Sequence, residues 1–192
     1  MASTPKGPPV TRMVDLLVFI LLIGSLVVGW QLRQLALFST EEVTVQGLSV
    51  AIPSHSIPLS SNDQFAVVTP DGLIVRINVL PAPPIGVEDP LALVTGRALS
   101  QGQAYEVYQT IGSDILMLGE LPAGILEYAY VDAQNDTFFA SSLKVIRGYE
   151  LLVGQGEQLY VLTLEAPDSN FSAVEALWPR LKDSWQLKGA ES

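Results

Sequence analysis

The chain has 192 residues, with 10 basic side chains against 20 acidic ones and no cysteine. This length suits an apolar N-terminal segment and one domain of about 150 residues, so a second folded domain is not expected. Without cysteine there is no disulfide, thiolate metal site or cysteine nucleophile. Residues 40–192 carry 7 basic and 19 acidic side chains, a net charge of −12. Such a field repels phosphate backbones, and nucleic acid is not expected as a partner.

The N-terminal segment has the composition of a transmembrane helix. Val14 to Trp30 reads VDLLVFILLIGSLVVGW, and a helix over residues 13–38, at about 1.5 Å per residue, exceeds the roughly 30 Å hydrocarbon core of a bilayer. Ser25 and Gly29 have the spacing of a helix-pairing motif, although lipid-facing small residues explain them more simply. We therefore predict a single-pass signal-anchor in the lipid bilayer. Its anchoring side chains are Leu16, Leu17, Phe19, Leu22, Val27 and Trp30.

Flanking charges predict the orientation of this helix. Lys6 and Arg12 precede the apolar run, and only Arg33 lies near its other end. The positive-inside rule then makes residues 1–12 a cytoplasmic tail and places the following domain outside the cytoplasm, at the cell membrane. A cleaved signal peptide is the alternative, but no A-x-A-like pair of small residues follows at a suitable spacing.

The segment after the helix is predicted to be a short stalk over residues 39–46. A domain over residues 47–187 follows, with a tail at residues 188–192. The domain opens with an extended segment, LSVAIP. Next, two apolar runs, residues 65–68 and 73–80, flank Thr-Pro-Asp-Gly, whose proline and glycine favour a turn, which predicts a β-hairpin.

A short helix is predicted to begin at Asp89-Pro90, because an N-cap acid followed by proline is typical of helix starts. Gly102 is expected to end it. Its apolar face is predicted to contain Leu91, Val94, Ala98 and Leu99.

From residue 105 to residue 166 the alternation of apolar and polar residues predicts an antiparallel meander with one covered face. Turn residues divide it into strands. The predicted turns are Gly112-Ser113-Asp114, Pro122-Ala123-Gly124, Gln134-Asn135-Asp136, Gly148 and Gly154-Gln155-Gly156.

An amphipathic helix is predicted to close the domain. It should begin near Ser172, which with Glu175 has the spacing of a capping box, and Pro179 should bend it. An apolar stripe is expected to pack on the sheet. The stripe consists of Phe171, Val174, Leu177, Trp178, Leu181 and Trp185.

This order of strands, short helix, meander and terminal helix resembles the PsbP-like α/β/α sandwich. Two stretches carry the resemblance, GLSVAIP at residues 47–53 and LYVLTLEAPDSNFSAVEALWPRLKDSWQL at residues 159–187. It spans most of residues 47–187 and implies an α+β fold, an antiparallel β-sheet flanked by helices. Its motifs are structural and imply no catalytic or cofactor-binding residue.

Few residues are candidates for chemistry. His55 is the only histidine, and its neighbouring serines lack the sequence separation expected of a catalytic triad, so a loop histidine is the simpler interpretation. Asp132, Asn135 and Asp136 have oxygen ligands for Ca²⁺ but lack the EF-hand spacing, and a hairpin turn explains them better. We expect no catalytic residue, no metal site and no cofactor, and hence no enzyme.

A set of tyrosines is the candidate ligand or partner surface. Tyr105, Tyr108, Tyr128 and Tyr130 recur on predicted neighbouring strands, with Phe138 and Phe139 nearby. They are interpreted either as a binding platform or as core packing under a helix.

The favoured functional hypothesis is a noncatalytic binding or assembly module, anchored in the membrane and associated with a protein complex. The alternative is a sensor or carrier for a small ligand or cation, which predicts a tyrosine-lined pocket of a few hundred Å³. A hydrolase that uses His55 is a distant third.

Overall fold

The computed structural model describes residues 9–59, 65–83, 87–132 and 143–187 and, within the first helix, the side chains from Val14 to Trp30. The chain divides into two units, Met1–Ser39 and Thr40–Ser192. Asn135 and Asp136, in the predicted hairpin turn, lie outside the described residues, as do Phe138 and Phe139.

The first unit contains one helix, α1 (Pro9–Phe38). The described side chains at all six predicted anchor positions are exposed. Nowhere in the described residues is there a helix with the length and apolar character that crossing a membrane requires. The predicted transmembrane span over residues 13–38 is therefore unsupported.

The second unit begins with a three-stranded antiparallel sheet. β1 (Thr40–Val45) pairs with β2 (Leu48–Pro53), and β10 (Gln186–Leu187) pairs with the other edge of β2. Residues Gln46 and Gly47 both have positive φ, the conformation that a two-residue hairpin turn requires. The predicted stalk is thus wrong for residues 40–45, because Val43 and Val45 pack against the domain core.

A larger antiparallel sheet follows. It consists of β3 (Ile57–Pro58), β4 (Phe65–Val68), β5 (Ile74–Pro81), β6 (Tyr108–Leu118), β7 (Leu121–Asp132), β8 (Lys144–Gln155) and β9 (Gln158–Pro167). Within the described residues their order is β3-β4-β5-β9-β8-β7-β6. The predicted β4–β5 hairpin and the β6–β9 meander are both confirmed.

Two helices and the small sheet cover the large sheet. After a 3-10 turn (Asp168–Asn170), α3 (Phe171–Asp183) packs its predicted stripe into a core shared with β2 and one face of the large sheet. α3 begins at Phe171 with no side-chain cap, so the capping box predicted at Ser172 is wrong.

α2 (Pro90–Ala104) covers the other face. The Asp89 carboxylate accepts a hydrogen bond from the Leu91 amide at 3.0 Å, as the N-cap prediction required. Leu93 and Val94 are the buried side chains of α2, whereas Leu91 and Leu99, predicted to face the core, are exposed.

Three described glycines of this domain, Gly124, Gly148 and Gly154, mark close approaches within strands instead of turns. The turns predicted around Gly112, Gly124 and Gly148 are wrong, because all three glycines lie inside long strands. A Cβ atom on Gly124 would lie 2.9 Å from the Pro90 carbonyl oxygen of α2, so glycine lets α2 approach the sheet. The turn predicted at residues 154–156 is confirmed, since Gly156, with φ of 60°, joins β8 to β9.

Candidate functional site

The sheet face under α2 contains polar side chains where a buried strand would ordinarily present apolar ones. Along β9, Leu162 and Leu164 enter the core beneath α3, and Thr163 and Glu165 point to the opposite face because side chains alternate along a strand. Glu150 on β8 lies opposite Thr163 in the strand register, and so does Arg76 on β5. A row of polar groups therefore crosses the centre of the sheet.

Glu150 is a buried carboxylate held by α2. Its side chain is 1% exposed, and Arg97 donates to both of its oxygens, at 2.8 and 2.7 Å. Gln101 and Thr163 also donate to Oε1, each at 3.3 Å. Burial lowers the pKa of Arg97, but the hydrogen bonds and charge of Glu150 outweigh burial and raise it overall. Both carboxylate oxygens of Glu150 thus accept hydrogen bonds from protein groups.

Glu165 is a second buried carboxylate, 2% exposed, and it pairs with Arg76. The Tyr128 hydroxyl donates to its Oε2 at 3.0 Å, and the Tyr130 hydroxyl lies 3.5 Å from the same oxygen. Gly148 separates Tyr128 from Glu165 in the register. A Cβ atom on Gly148 would lie 3.0 Å from the Tyr128 hydroxyl, so the glycine leaves room for this contact.

The four tyrosines of the predicted surface do come together. Tyr105 stacks on Tyr130 with ring centroids 4.0 Å apart, and Tyr128 stacks on Tyr108 and Tyr130 at 5.8 and 6.1 Å. Burial raises the pKa of Tyr108 to about 12, and burial with the charge of Glu165 raises the pKa values of Tyr128 and Tyr130 as well. Tyr128 and Tyr130 are buried, whereas Tyr105 and Tyr108 are half-buried at the margin.

A polar cavity of about 270 Å³ lies between α2 and this row. Its walls include both arginines, both glutamates, Tyr105 and Tyr128, along with Asn78, Ser100, Gln101, Ala104 and Thr163. Asn78 is 8% exposed, and its buried Oδ1 atom has no hydrogen-bond partner. The cavity therefore combines accessible arginine donors with one buried acceptor that no protein group satisfies.

Sequence reasoning missed the arginine, glutamate and asparagine side chains of this cavity. A signal was present, since Glu150 and Glu165 interrupt otherwise apolar strand runs, GYELLV and VLTLEA. A charged residue inside a buried strand needs a partner, because an unpaired buried charge is strongly unfavourable. No local pattern identifies that partner, because it lies far away along the chain.

The other candidates lie elsewhere. His55 is exposed in the turn after β2, with φ of 65°, and the Ser56 hydroxyl donates to the Pro53 carbonyl. Asp132 ends β7. In the part of the chain that the structure describes, no group of three or more His, Cys, Asp or Glu side chains is arranged to hold a metal ion.

A second feature is the free edge of β6. Among the described strands, none pairs with its outer side. Ile111, Ile115 and Met117 are exposed there, Ile115 by 51%. Ile115 also contributes to a groove of about 210 Å³ shared with Leu91 and Val94 of α2. This edge presents both backbone hydrogen-bonding groups and apolar side chains.

No family model matches the chain, and no curated protein matches it. Among solved structures it is similar to cyanobacterial PsbP (CyanoP) from Synechocystis sp. PCC 6803, with a TM-score of 0.59, 9% identity and coverage of 78% of this chain and 92% of that one. It is also similar to the Saccharomyces cerevisiae Ran-binding protein Mog1p, with a TM-score of 0.56, 11% identity and coverage of 78% and 95%. The chain therefore has the PsbP-like α/β fold that its sequence pattern predicted.

Proposed function

We propose that this protein is a noncatalytic binding module that docks an extended segment of a protein partner along β6 and is attached to a membrane through α1. The observation that carries the proposal is the free β6 edge with its exposed apolar side chains. An unpaired strand edge is a template for another strand, and natural proteins normally blunt or cover it.

The edge is suited to strand addition. β6 has 11 residues, of which seven are exposed, and Asp114 is its only charged residue. Main-chain hydrogen bonds would supply affinity, and the groove beside Ile115 would accept one apolar side chain of the incoming segment.

Charge favours a foreign partner over a second copy. Residues 40–192 carry a net charge of −12, and two such domains repel each other at an edge-to-edge contact. The proposed partner segment is extended and apolar, with flanking basic residues. The Ran-binding protein of similar fold supports a protein-binding use for this architecture.

The buried acids support a noncatalytic role. A general acid or base must exchange a proton with substrate, yet both buried glutamates are held by arginine, and the two carboxylates together accept hydrogen bonds from Gln101, Thr163 and Tyr128. These contacts hold both carboxylates in place as structural groups.

The proposed membrane attachment rests on the exposed apolar side chains of α1. Between Val14 and Trp30 its large apolar side chains are all exposed within the described structure, and a continuous apolar surface of this size marks a contact with lipid or protein. Lys6 and Arg12 favour a cytoplasmic N-terminus, with the domain on the extracytoplasmic side.

Photocrosslinking in intact cells tests the docking surface. A photoreactive residue at Ile115 should yield one discrete heterologous adduct, and Met117→Lys should abolish it. A photoreactive residue at Leu99, which is equally apolar and exposed on α2, is the matched control and should give no such adduct. Equal labelling from both positions, or an adduct only with a second copy of the chain, would refute the proposal.

The absence of cysteine makes the attachment directly testable. Single cysteines placed at Ser3 and at exposed Gln103 should differ in their labelling by a membrane-impermeant maleimide in intact cells. Only the cysteine at Gln103 should be labelled. The protein should also stay in the membrane pellet after an alkaline carbonate wash. Release into the supernatant, or labelling at Ser3 alone, contradicts the attachment or its orientation.

A further inference from the structure

The cavity under α2 has an unsatisfied hydrogen-bond acceptor at a buried position. Asn78 is 8% exposed, and its Oδ1 atom is fully enclosed without a partner. Buried side-chain polar atoms nearly always have a hydrogen-bond partner. Asn78 is among the residues that line the cavity, so a ligand bound there lies beside an amide group that both donates and accepts hydrogen bonds.

The same cavity has unused donors. Arg97 uses its Nε and Nη2 groups on Glu150, and Arg76 uses Nη1 on Glu165. Each guanidinium has five N–H donors, and the two side chains remain 19% and 30% exposed where they line the cavity. The ligand must therefore accept hydrogen bonds as well as donate one.

The charges of the site exclude simple ions. Arg76 and Arg97 cancel Glu165 and Glu150, so the cavity is neutral as a whole. A cation finds the carboxylate oxygens already occupied by donors. An anion meets guanidinium groups that are already neutralised, in a domain of net charge −12.

We infer that this cavity binds a small neutral polyhydroxylated molecule, of the size of one sugar or cyclitol ring. Each hydroxyl group both donates and accepts, which matches the asparagine amide at one wall and the arginine donors at the others. A volume of about 270 Å³ lies just below the range for drug-sized ligands and suits a single ring. Tyr105 also lines the cavity, and its half-buried ring adds apolar surface for the C–H groups of such a ring.

Calorimetric titration of the full chain in mild detergent tests the inference, with D-glucose and myo-inositol as probes and glycine as the zwitterionic comparison. We expect saturable binding of at least one polyol and none of glycine. Asn78→Ala should raise the Kd about tenfold, the effect of one lost hydrogen bond.

Ser100→Trp is the second variant, because Ser100 is exposed and lines the cavity; a bulky ring there should abolish binding without disturbing the fold. Ile115→Lys, on the β6 edge, should leave the Kd unchanged, which separates this inference from the docking proposal. Absence of polyol binding, preferential binding of glycine, or an unchanged Kd in both cavity variants would overturn it.

Discussion

Replacing Arg97 with methionine removes both guanidinium hydrogen bonds from Glu150 while keeping much of the side chain's apolar volume. Glu150, which is 1% exposed in the structure, then retains only the two 3.3 Å contacts from Gln101 and Thr163. Each hydrogen bond to a charged group contributes about 1.5–3 kcal/mol, so two lost bonds predict about 3–6 kcal/mol. Breaking a buried ion pair typically costs about 3–5 kcal/mol, in agreement.

Urea denaturation of the full chain in mild detergent, followed by circular dichroism, measures this loss. A decrease of about 3–5 kcal/mol corresponds to a fall of roughly 6–20 °C in Tm. The double variant Arg97→Met with Glu150→Met should recover most of the loss, because an apolar pair often replaces a buried ion pair without cost. A loss below about 1 kcal/mol for Arg97→Met, or no recovery in the double variant, would show that Glu150 is not desolvated as described.

Two further predictions concern the same face of the sheet. Gly148→Ala should destabilise the domain by about 1–3 kcal/mol in the same assay, since its Cβ atom would lie 2.7 Å from the Leu164 carbonyl oxygen. Gly112→Ala is the control, because its Cβ atom would lie 3.7 Å from the nearest atom. Equal losses of stability in the two variants would contradict the packing. The pKa of Tyr108 is raised to about 12, so the folded chain keeps a proton that the unfolded chain loses above about pH 10. The contribution of this tyrosine to the free energy of unfolding is therefore full below about pH 10 and falls as pH rises towards 12. Denaturation at pH 8 and pH 10.5, with tyrosinate absorbance, tests this; a folded-state tyrosine titration complete at pH 10 would refute it.

Local chemistry made several elements of the fold predictable. The Pro70 and Gly72 turn predicted the β4–β5 hairpin, and Asp89-Pro90 predicted the start of α2. The apolar stripe of α3 predicted the face that it buries. These signals act over a few residues, through fixed φ values, capping hydrogen bonds and the helical period, and the sequence displays them directly.

Glycine was misread where its role depends on distant parts of the chain. Gly124 and Gly148 looked like turns, yet both lie within strands, where Gly124 lets α2 pack closely and Gly148 leaves room for Tyr128 and Glu165. Glycine permits both a tight turn and a close contact. Only the tertiary packing distinguishes the two.

By itself the sequence determined the α+β class, the PsbP-like order of elements, the acidic charge and the four tyrosines that meet under α2. The tertiary structure decided that residues 40–45 join the domain, that β6 is a free edge, and that two buried glutamates find arginines 53 and 89 residues away. The physical reason is the distance along the chain over which each signal acts. Propensity and periodicity are properties of neighbouring residues, whereas a buried charge and an unsatisfied Asn78 oxygen are defined by side chains that the folded sheet brings together.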